Sequence, residues 1–229
     1  MQTLEAERKL SVAVFLTVSG GFLDAFAYVG HGQVFANTMT GNVALLGVNL
    51  ATANWQQAMR HLPPLVAFVV AVFVSHLLLL HSATRWLRRP AMACLCLEIL
   101  FITLAASRLI PIPDFWLIPG ISFVATLQTL AFTHLDHLTY TSVMTTGNLR
   151  RCAQKLFVGL IPRYDPLALR DARLLGTVSL SFLSGAVLGA FSTSHSGDSA
   201  LWIADGLLAA AFCEIVRLAR KKPADVTRA

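Results

Sequence analysis

Long apolar runs separated by short polar segments dominate this chain. Crossing about 30 Å of hydrocarbon takes about 20 helical residues, because each rises about 1.5 Å and every backbone polar group must be satisfied within the segment. Six stretches reach that length: residues 11–30, 63–82, 91–109, 115–135, 174–193 and 201–219. Pro63 and Pro64 suit a first helical turn, where a missing N–H costs little. Two further segments read as helices that do not cross. Residues 43–53 are apolar but would rise only about 16 Å, so they form either a re-entrant half-helix or a helix lying in the interface. Leu149, Cys152, Ala153, Leu156, Phe157 and Leu160 mark one helical face, and Arg150, Arg151, Gln154 and Lys155 the other, the pattern of an interfacial amphipathic helix.

Composition agrees with a bilayer protein. Of 229 residues, 55% are hydrophobic and 13% charged, with a mean hydropathy of +0.64. This excludes a disordered segment, a nucleic-acid-binding domain and a disulfide scaffold. Arg8, Lys9 and the Ala25-Phe26-Ala27 stretch imitate a cleavable signal, but Asp24 and Gly20-Gly21 interrupt the run, so the first segment is expected to stay attached.

The net charge of +6 has a topological reading. With the N-terminus inside, sixteen cations fall on one side: Arg8, Lys9, Arg85, Arg88, Arg89, Arg150, Arg151, Lys155, Arg163, Arg170, Arg173, Arg217, Arg220, Lys221, Lys222 and Arg228. Only Arg60 and Arg108 fall on the other. Cationic loops are retained in the cytoplasm, so both termini are expected there. Trp55, Trp86, Trp116 and Trp202 sit at expected span ends, where amphipathic rings prefer the headgroup level. Cys94, Cys96, Cys152 and Cys213 form no C-x-x-C pair, and neither a disulfide nor a metal role is expected.

Residues 24–42 slide onto 130–148 without a gap, pairing Ala25 with Ala131, Phe26 with Phe132, His31 with His137, Thr40 with Thr146, Gly41 with Gly147 and Asn42 with Asn148. One inserted residue would instead match Met39-Thr40 with Met144-Thr145, so the register is not unique. Three spans per copy reverse the second copy relative to the first, which predicts an all-α, six-span, 3+3 inverted repeat forming a single membrane domain over residues 1–229. The copies occupy about residues 11–109 and 115–219. The asparagines are expected to cap helix starts, with the preceding glycines relaxing the backbone.

Gly20-Gly21-Phe22-Leu23-Asp24-Ala25, followed by Phe35-Ala36-Asn37-Thr38-Met39-Thr40-Gly41-Asn42, resembles the signature of the YoaK-like family of bacterial inner-membrane proteins, grouped under a domain of unknown function. Thr126-Leu127-Gln128 through Thr145-Thr146-Gly147-Asn148 is similar to that family's second half. The resemblance implies a six-span membrane protein and no established activity, so no catalytic residue is carried over.

Ionisable groups inside a bilayer need a partner or a purpose. Asp24 shares one face of the first span with Thr17, Gly20, Gly21 and Tyr28; it either couples to an ion or solute or fixes the following loop's N–H groups. Ser122, Thr126, Thr129 and Thr133, with Gln128 beside them, give the fourth span a polar, uncharged face. Glu98 is a buried ionisable group for which a structural partner is expected. Glu214 can reach Arg217, and Asp205 is expected to be solvated near the membrane edge. His31, His76 and His81 read as isolated, and His134-Leu135-Asp136-His137 lacks the second cluster that a metal would need. The candidate solute-binding set is Asp24, Asn37, Thr40, Gly41, Asn42, Gln128, Thr129, Thr146, Gly147 and Asn148. No catalytic residue, metal or cofactor is expected.

The expected activity is that of a transporter or channel for a small solute, with anions favoured by the two Thr-Gly-Asn helix starts. A non-catalytic scaffold or sensor and a lipid-modifying membrane enzyme are the alternatives. The expected partners are the lipid bilayer and a small solute, with no nucleic acid, and Ser181, Gly185 and Gly189 leave homo-oligomer packing open.

Overall fold

A computed structural model describes residues 2–79 and 89–220, the side chains of residues 2–4 and 79 excepted. His81, Arg85, Trp86, Arg88, Lys221, Lys222, Arg228 and the expected end of the second span at residues 80–82 lie outside the described residues. The helices are α1 (Gln2–Glu7), α2 (Leu10–Gly30), α3 (Met39–Ala51), α4 (Trp55–Arg60), α5 (Leu62–Leu79), α6 (Pro90–Ser107), α7 (Asp114–Ala131), α8 (Thr145–Leu160), α9 (Pro166–Ser196) and α10 (Leu201–Arg220). A two-stranded hairpin, β1 (His134–Leu135) and β2 (Leu138–Thr139), precedes α8, and a 3₁₀ turn, Gly197–Ala200, joins α9 to α10.

Among the described residues, five segments are long and apolar enough to cross a membrane: Leu10–Gly30, Trp55–Leu78, Pro90–Ser107, Asp114–Ala131 and Pro166–Arg220. The last runs for 55 residues and contains both α9 and α10. Their outward faces are apolar, with Val66, Val69 and Phe73 on α5, Leu100 on α6, and Leu180, Leu183, Val187 and Phe191 on α9 all exposed. A continuous band of such side chains matches lipid rather than water. The chain is an all-α polytopic membrane protein.

The interior is built around α2. Phe22, Leu23 and Phe26 of α2 join Leu95 and Ile102 of α6, Ile118 and Ile121 of α7, and Leu208, Ala211 and Ile215 of α10 in one buried cluster. The other side of α2 crosses α9 at backbone distance. A Cβ on Gly21 would run into the Phe182 carbonyl, one on Gly185 into the Val18 carbonyl, and one on Gly189 into the Phe22 carbonyl. Glycine is required at this crossing by space, and close backbone approach is how helices gain dispersion energy where lipid removes the hydrophobic drive. The small-residue series noted in the sequence is therefore filled by α2 of the same chain.

Three boundaries differ from expectation. The fourth span ends at Ala131 instead of residue 135, because Leu135 turns back to pair with Leu138 and the turn residue Asp136 takes φ 54, a conformation that Asp tolerates. The hairpin is tied to the start of α2 by the Asp136 N–H donating to the Arg8 carbonyl at 2.8 Å. The fifth span, α9, begins at Pro166, eight residues early, since Asp165 accepts from the N–H groups of Leu167 and Ala168 and proline sits well in a first turn. The short apolar segment starts at Met39 and ends at Ala51, burying only Met39 and Asn42 while Val43, Val48 and Leu50 stay exposed. In α8, Leu149, Leu156, Phe157 and Leu160 are exposed and Asn148 and Gly159 buried, while Cys152 turns towards the Ala172 carbonyl of α9.

Candidate functional site

The first loop, residues 31–38, folds back onto α2 and is gripped by one carboxylate. Asp24, 3% exposed, accepts from the Asn37 N–H at 2.6 Å and the Thr38 N–H at 3.2 Å through Oδ1, while the Thr38 hydroxyl donates to Oδ2. Charge-assisted hydrogen bonds of this kind are about twice as strong as neutral ones, and they use the acceptor capacity that a solute or ion would otherwise meet. The Asn37 amide donates to the Gly20 carbonyl at 3.2 Å, one helical turn away.

The second loop, residues 132–144, also reaches Gly20. A Cβ on Gly20 would stand 3.0 Å from the Ser142 carbonyl and from the Val143 side chain. Ser142, fully buried, donates to Gln128 Oε1 at 3.4 Å and shares a hydroxyl contact of 3.1 Å with Thr129. Gly20 is thus where α2 touches both loops. Several buried polar atoms near this junction lack partners among the described residues: Thr17 Oγ1, Ser19 Oγ, Asn37 Oδ1 and Gln128 Nε2. Orphaned polar atoms at such depth are costly and call for a reason beyond packing.

Of the ten candidate residues, Asp24, Asn37, Gln128 and Thr129 converge here. Asn42 and Asn148 do something different from the helix capping expected of them. Asn42 Oδ1 accepts from the Phe35 N–H at 2.9 Å while its amide donates to the Phe35 carbonyl at 2.8 Å. Asn148 does the same to Thr141, at 3.2 and 2.7 Å. Each asparagine lies inside its helix and hooks the backbone seven residues upstream, as a strand partner would, while Thr38 and Met144, at the cap positions, make no side-chain cap. Thr40 and Thr146 are exposed, Gly41 packs under Phe35, and nothing lies near the Gly147 α-carbon's open side.

Glu98 is 2% exposed, and its Oε2 has no partner among the described residues. Asp205 is half-buried rather than solvated, accepting from the Thr103 hydroxyl at 3.0 Å. Glu214 does meet Arg217, at 3.3 Å.

Each end of α2 carries an opening and a histidine cluster. At the C-terminal end, His31, Val34, Gln56, Met59, Arg60, Pro63, Pro64, Asp114, Phe115, Ile118 and Pro119 enclose a cavity of about 390 Å³. His31 is not isolated: Nδ1 lies 2.9 Å from Asp114, and Nε2 lies 3.4 Å from Asp198, which also meets Arg108 at 3.4 Å. At the N-terminal end, Glu5, Arg8, Lys9, Leu10, Leu135, Asp136, Arg170 and Leu174 line a cavity of about 580 Å³. There His137 lies 3.6 Å from Asp136 and 3.2 Å from Asp171, which Lys155 meets at 2.9 Å, while Arg170 holds Asp136 at 3.0 Å. No group of three His, Cys, Asp or Glu side chains suited to a metal occurs among the described residues.

A helical membrane protein in which buried polar residues of the spans meet loops folded back against them is the class that fold and site define. Comparison with known proteins then places the chain. The family model "Protein of unknown function (DUF1275)" matches residues 12–213, and the chain belongs to that family. It is also similar to the UPF0700 transmembrane protein YoaK of Bacillus subtilis (strain 168), at 24% identity over 194 residues, covering 82% of this chain and 85% of that protein. No solved structure matches it.

Proposed function

We propose that the protein carries a small solute across a bacterial plasma membrane, as a transporter or channel made of two inverted three-span halves with both termini in the cytoplasm. One observation carries the reading: two openings lie at opposite ends of α2, about 31 Å apart along its 21 residues, and the two loops meet between them at Gly20. Inverted-repeat transporters place their sites where broken segments from each half meet near the bilayer middle.

The packing supports two equivalent halves. The pairing of α2 with α9 is answered by α7 with α5, that of α2 with α10 by α7 with α6, and α6 packs on α10 between them. The asparagine hooks support it independently, because residues 35 and 42 of one half correspond to 141 and 148 of the other. The sixteen-to-two division of Lys and Arg supports the orientation. In this reading Asn37, Gln128 and Thr129 present polar groups to the solute when the loops part, and Asp24 holds the first loop. Asn42 and Asn148 set each loop's shape, while Thr40-Gly41 and Thr146-Gly147 open the helix starts that favour an anionic group.

Purified protein in liposomes tests this. Liposomes loaded with a panel of labelled amino acids, carboxylates and inorganic anions should show protein-dependent release of at least one, reduced at least tenfold by Gly20→Leu, which wedges the two loops. Release that is absent across the panel, or untouched by Gly20→Leu, would contradict the reading.

A further inference from the structure

The opening at the C-terminal end of α2 has a composition that specifies its ligand more narrowly than "small solute". Its lining carries two charges of opposite sign, contributed by two different helices. Asp114, the first residue of α7, presents a carboxylate 69% exposed, oriented by His31 Nδ1 at 2.9 Å. Arg60, at the end of α4, lines the same cavity and makes no ion pair among the described residues. Its guanidinium lies against Gly32, where any Cβ would collide with Nη1. Gly32 adopts φ +81, a backbone conformation that favours glycine.

Between the two charges the walls are apolar: Val34, Met59, Pro63, Pro64, Phe115 and Ile118. Gln56 adds one uncharged hydrogen-bonding group. A volume of about 390 Å³ falls in the range of small-molecule sites, which are mostly apolar with a few placed polar groups. The opening at the other end repeats this mixture, with Asp136, Glu5, Arg8, Lys9 and Arg170 around Leu10, Leu135 and Leu174. Two mouths of one pathway must accept the same solute, and both offer a cation, an anion and apolar surface.

We propose that the cavity bounded by Arg60 and Asp114 binds a small zwitterion bearing an apolar group, of the amino-acid type, with Arg60 on the carboxylate, Asp114 on the ammonium, and the prolines and Phe115 against the side chain. This rests on the solute-carrier reading and names its substrate class. The guanidinium fork suits a carboxylate bidentately, and Asp114 keeps one oxygen free of His31 for the ammonium. A zwitterionic lipid headgroup shares the chemistry of opposite charges but brings phosphate in place of carboxylate.

The test is equilibrium binding of labelled glycine, L-leucine and L-phenylalanine to the full-length protein in nanodiscs. Isovalerate and isoamylamine serve as single-charge competitors. The expected result is binding of leucine or phenylalanine tighter than glycine, weakened at least tenfold by Arg60→Gln and by Asp114→Asn. Isovalerate competition should be lost only in Arg60→Gln and isoamylamine competition only in Asp114→Asn. Asp114→Asn keeps side-chain size and retains an acceptor for His31, and Arg60→Gln removes the charge while keeping a shorter polar side chain. Absence of amino-acid binding, or binding indifferent to both variants, overturns the proposal. So does binding that appears only in nanodiscs lacking phosphatidylethanolamine, since the cavity is then a lipid headgroup site. Failure here with solute flux intact removes the zwitterion and leaves transport standing. Binding that follows these rules without flux does the reverse.

Discussion

The two loops that meet at Gly20 use the same hook and different grips. Asn42 and Asn148 each clasp the backbone of a residue seven positions upstream with a paired donor and acceptor. Beyond that the loops diverge. The first is fastened to α2 by a buried carboxylate that accepts three hydrogen bonds, whereas the second is fastened to α7 by the neutral pair of Gln128 and Thr129 through Ser142. The difference teaches that loop shape and loop attachment are separable. Shape is set by an amide that mimics a strand, and attachment by whatever acceptor the neighbouring span supplies. A charged attachment is strong and costly to break, and a neutral one yields more readily.

The largest expected effect removes the support that both loops share. Gly21→Leu or Gly185→Leu would drive a side chain into the facing backbone of α9 or α2, costing over about 4 kcal/mol, so folded protein should be lost from detergent extracts in size-exclusion profiles. Gly206→Leu, with nothing within 4 Å of its open side, should leave the profile unchanged.

Next comes the contrast between attachments. Asp24→Ala strands two N–H groups and a hydroxyl, at about 1–3 kcal/mol each, and should lower the thermal unfolding midpoint far more than Ser142→Ala, which loses about 1 kcal/mol. Asp24→Asn, keeping one acceptor oxygen, should fall between them. Equal losses in Asp24→Ala and Ser142→Ala would erase the distinction between the grips.

The hooks should behave alike. Asn42→Ala and Asn148→Ala each strand one N–H and one carbonyl, so each should cost about 2 kcal/mol and raise amide exchange locally, at Phe35 in one and Thr141 in the other, with Asn42→Ala the costlier because it also leaves the ring Nδ1 of buried His61, 3.3 Å from Asn42 Oδ1, without its partner. The smallest effect belongs to Gln128→Met. Met gives up the long 3.4 Å bonds that Oε1 accepts from Ser142 and Thr129 but also removes the unpartnered buried Nε2, so the two effects offset and stability should change by less than about 1 kcal/mol, while solute flux, if Gln128 meets the solute, falls.

The positions of the crossing helices were legible because span length is a physical requirement of the bilayer that hydropathy reports directly. The end of α7 was overrun because Leu135 continues an apolar run, and only its pairing with Leu138 stops the helix. The start of α9 was legible in principle, since Asp165-Pro166 is a cap followed by a first-turn proline, yet the cluster of charges after it read as loop. Asp24 stood out as an acid in an apolar span, and fixing the loop's N–H groups was one of its two readings. The TGN residues were legible as a motif but not as a division of labour, because only the folded chain reveals that Asn42 reaches back to Phe35 while Thr40 faces out.

Ser142 was missed because the register of the match between halves was ambiguous. The asparagine hooks follow an offset of 106 residues, whereas Asn37 and Ser142, both beside Gly20, are 105 apart. His31 read as isolated because Asp114 lies 83 residues away, and no periodicity connects them. Contacts between distant elements carry no local signature, and the two openings are made wholly of such contacts.

The most direct test of the central proposal is side-specific labelling of single cysteines in an otherwise cysteine-free protein, in intact cells and in inside-out vesicles. Gln56→Cys, in the chain leading from the first loop, and Arg163→Cys, in the chain following the second, are both exposed positions. A membrane-impermeant maleimide should label Gln56→Cys only from outside and Arg163→Cys only from the cytoplasmic face. Labelling of both from the same face would contradict two loops entering from opposite sides, and the pathway between them with it.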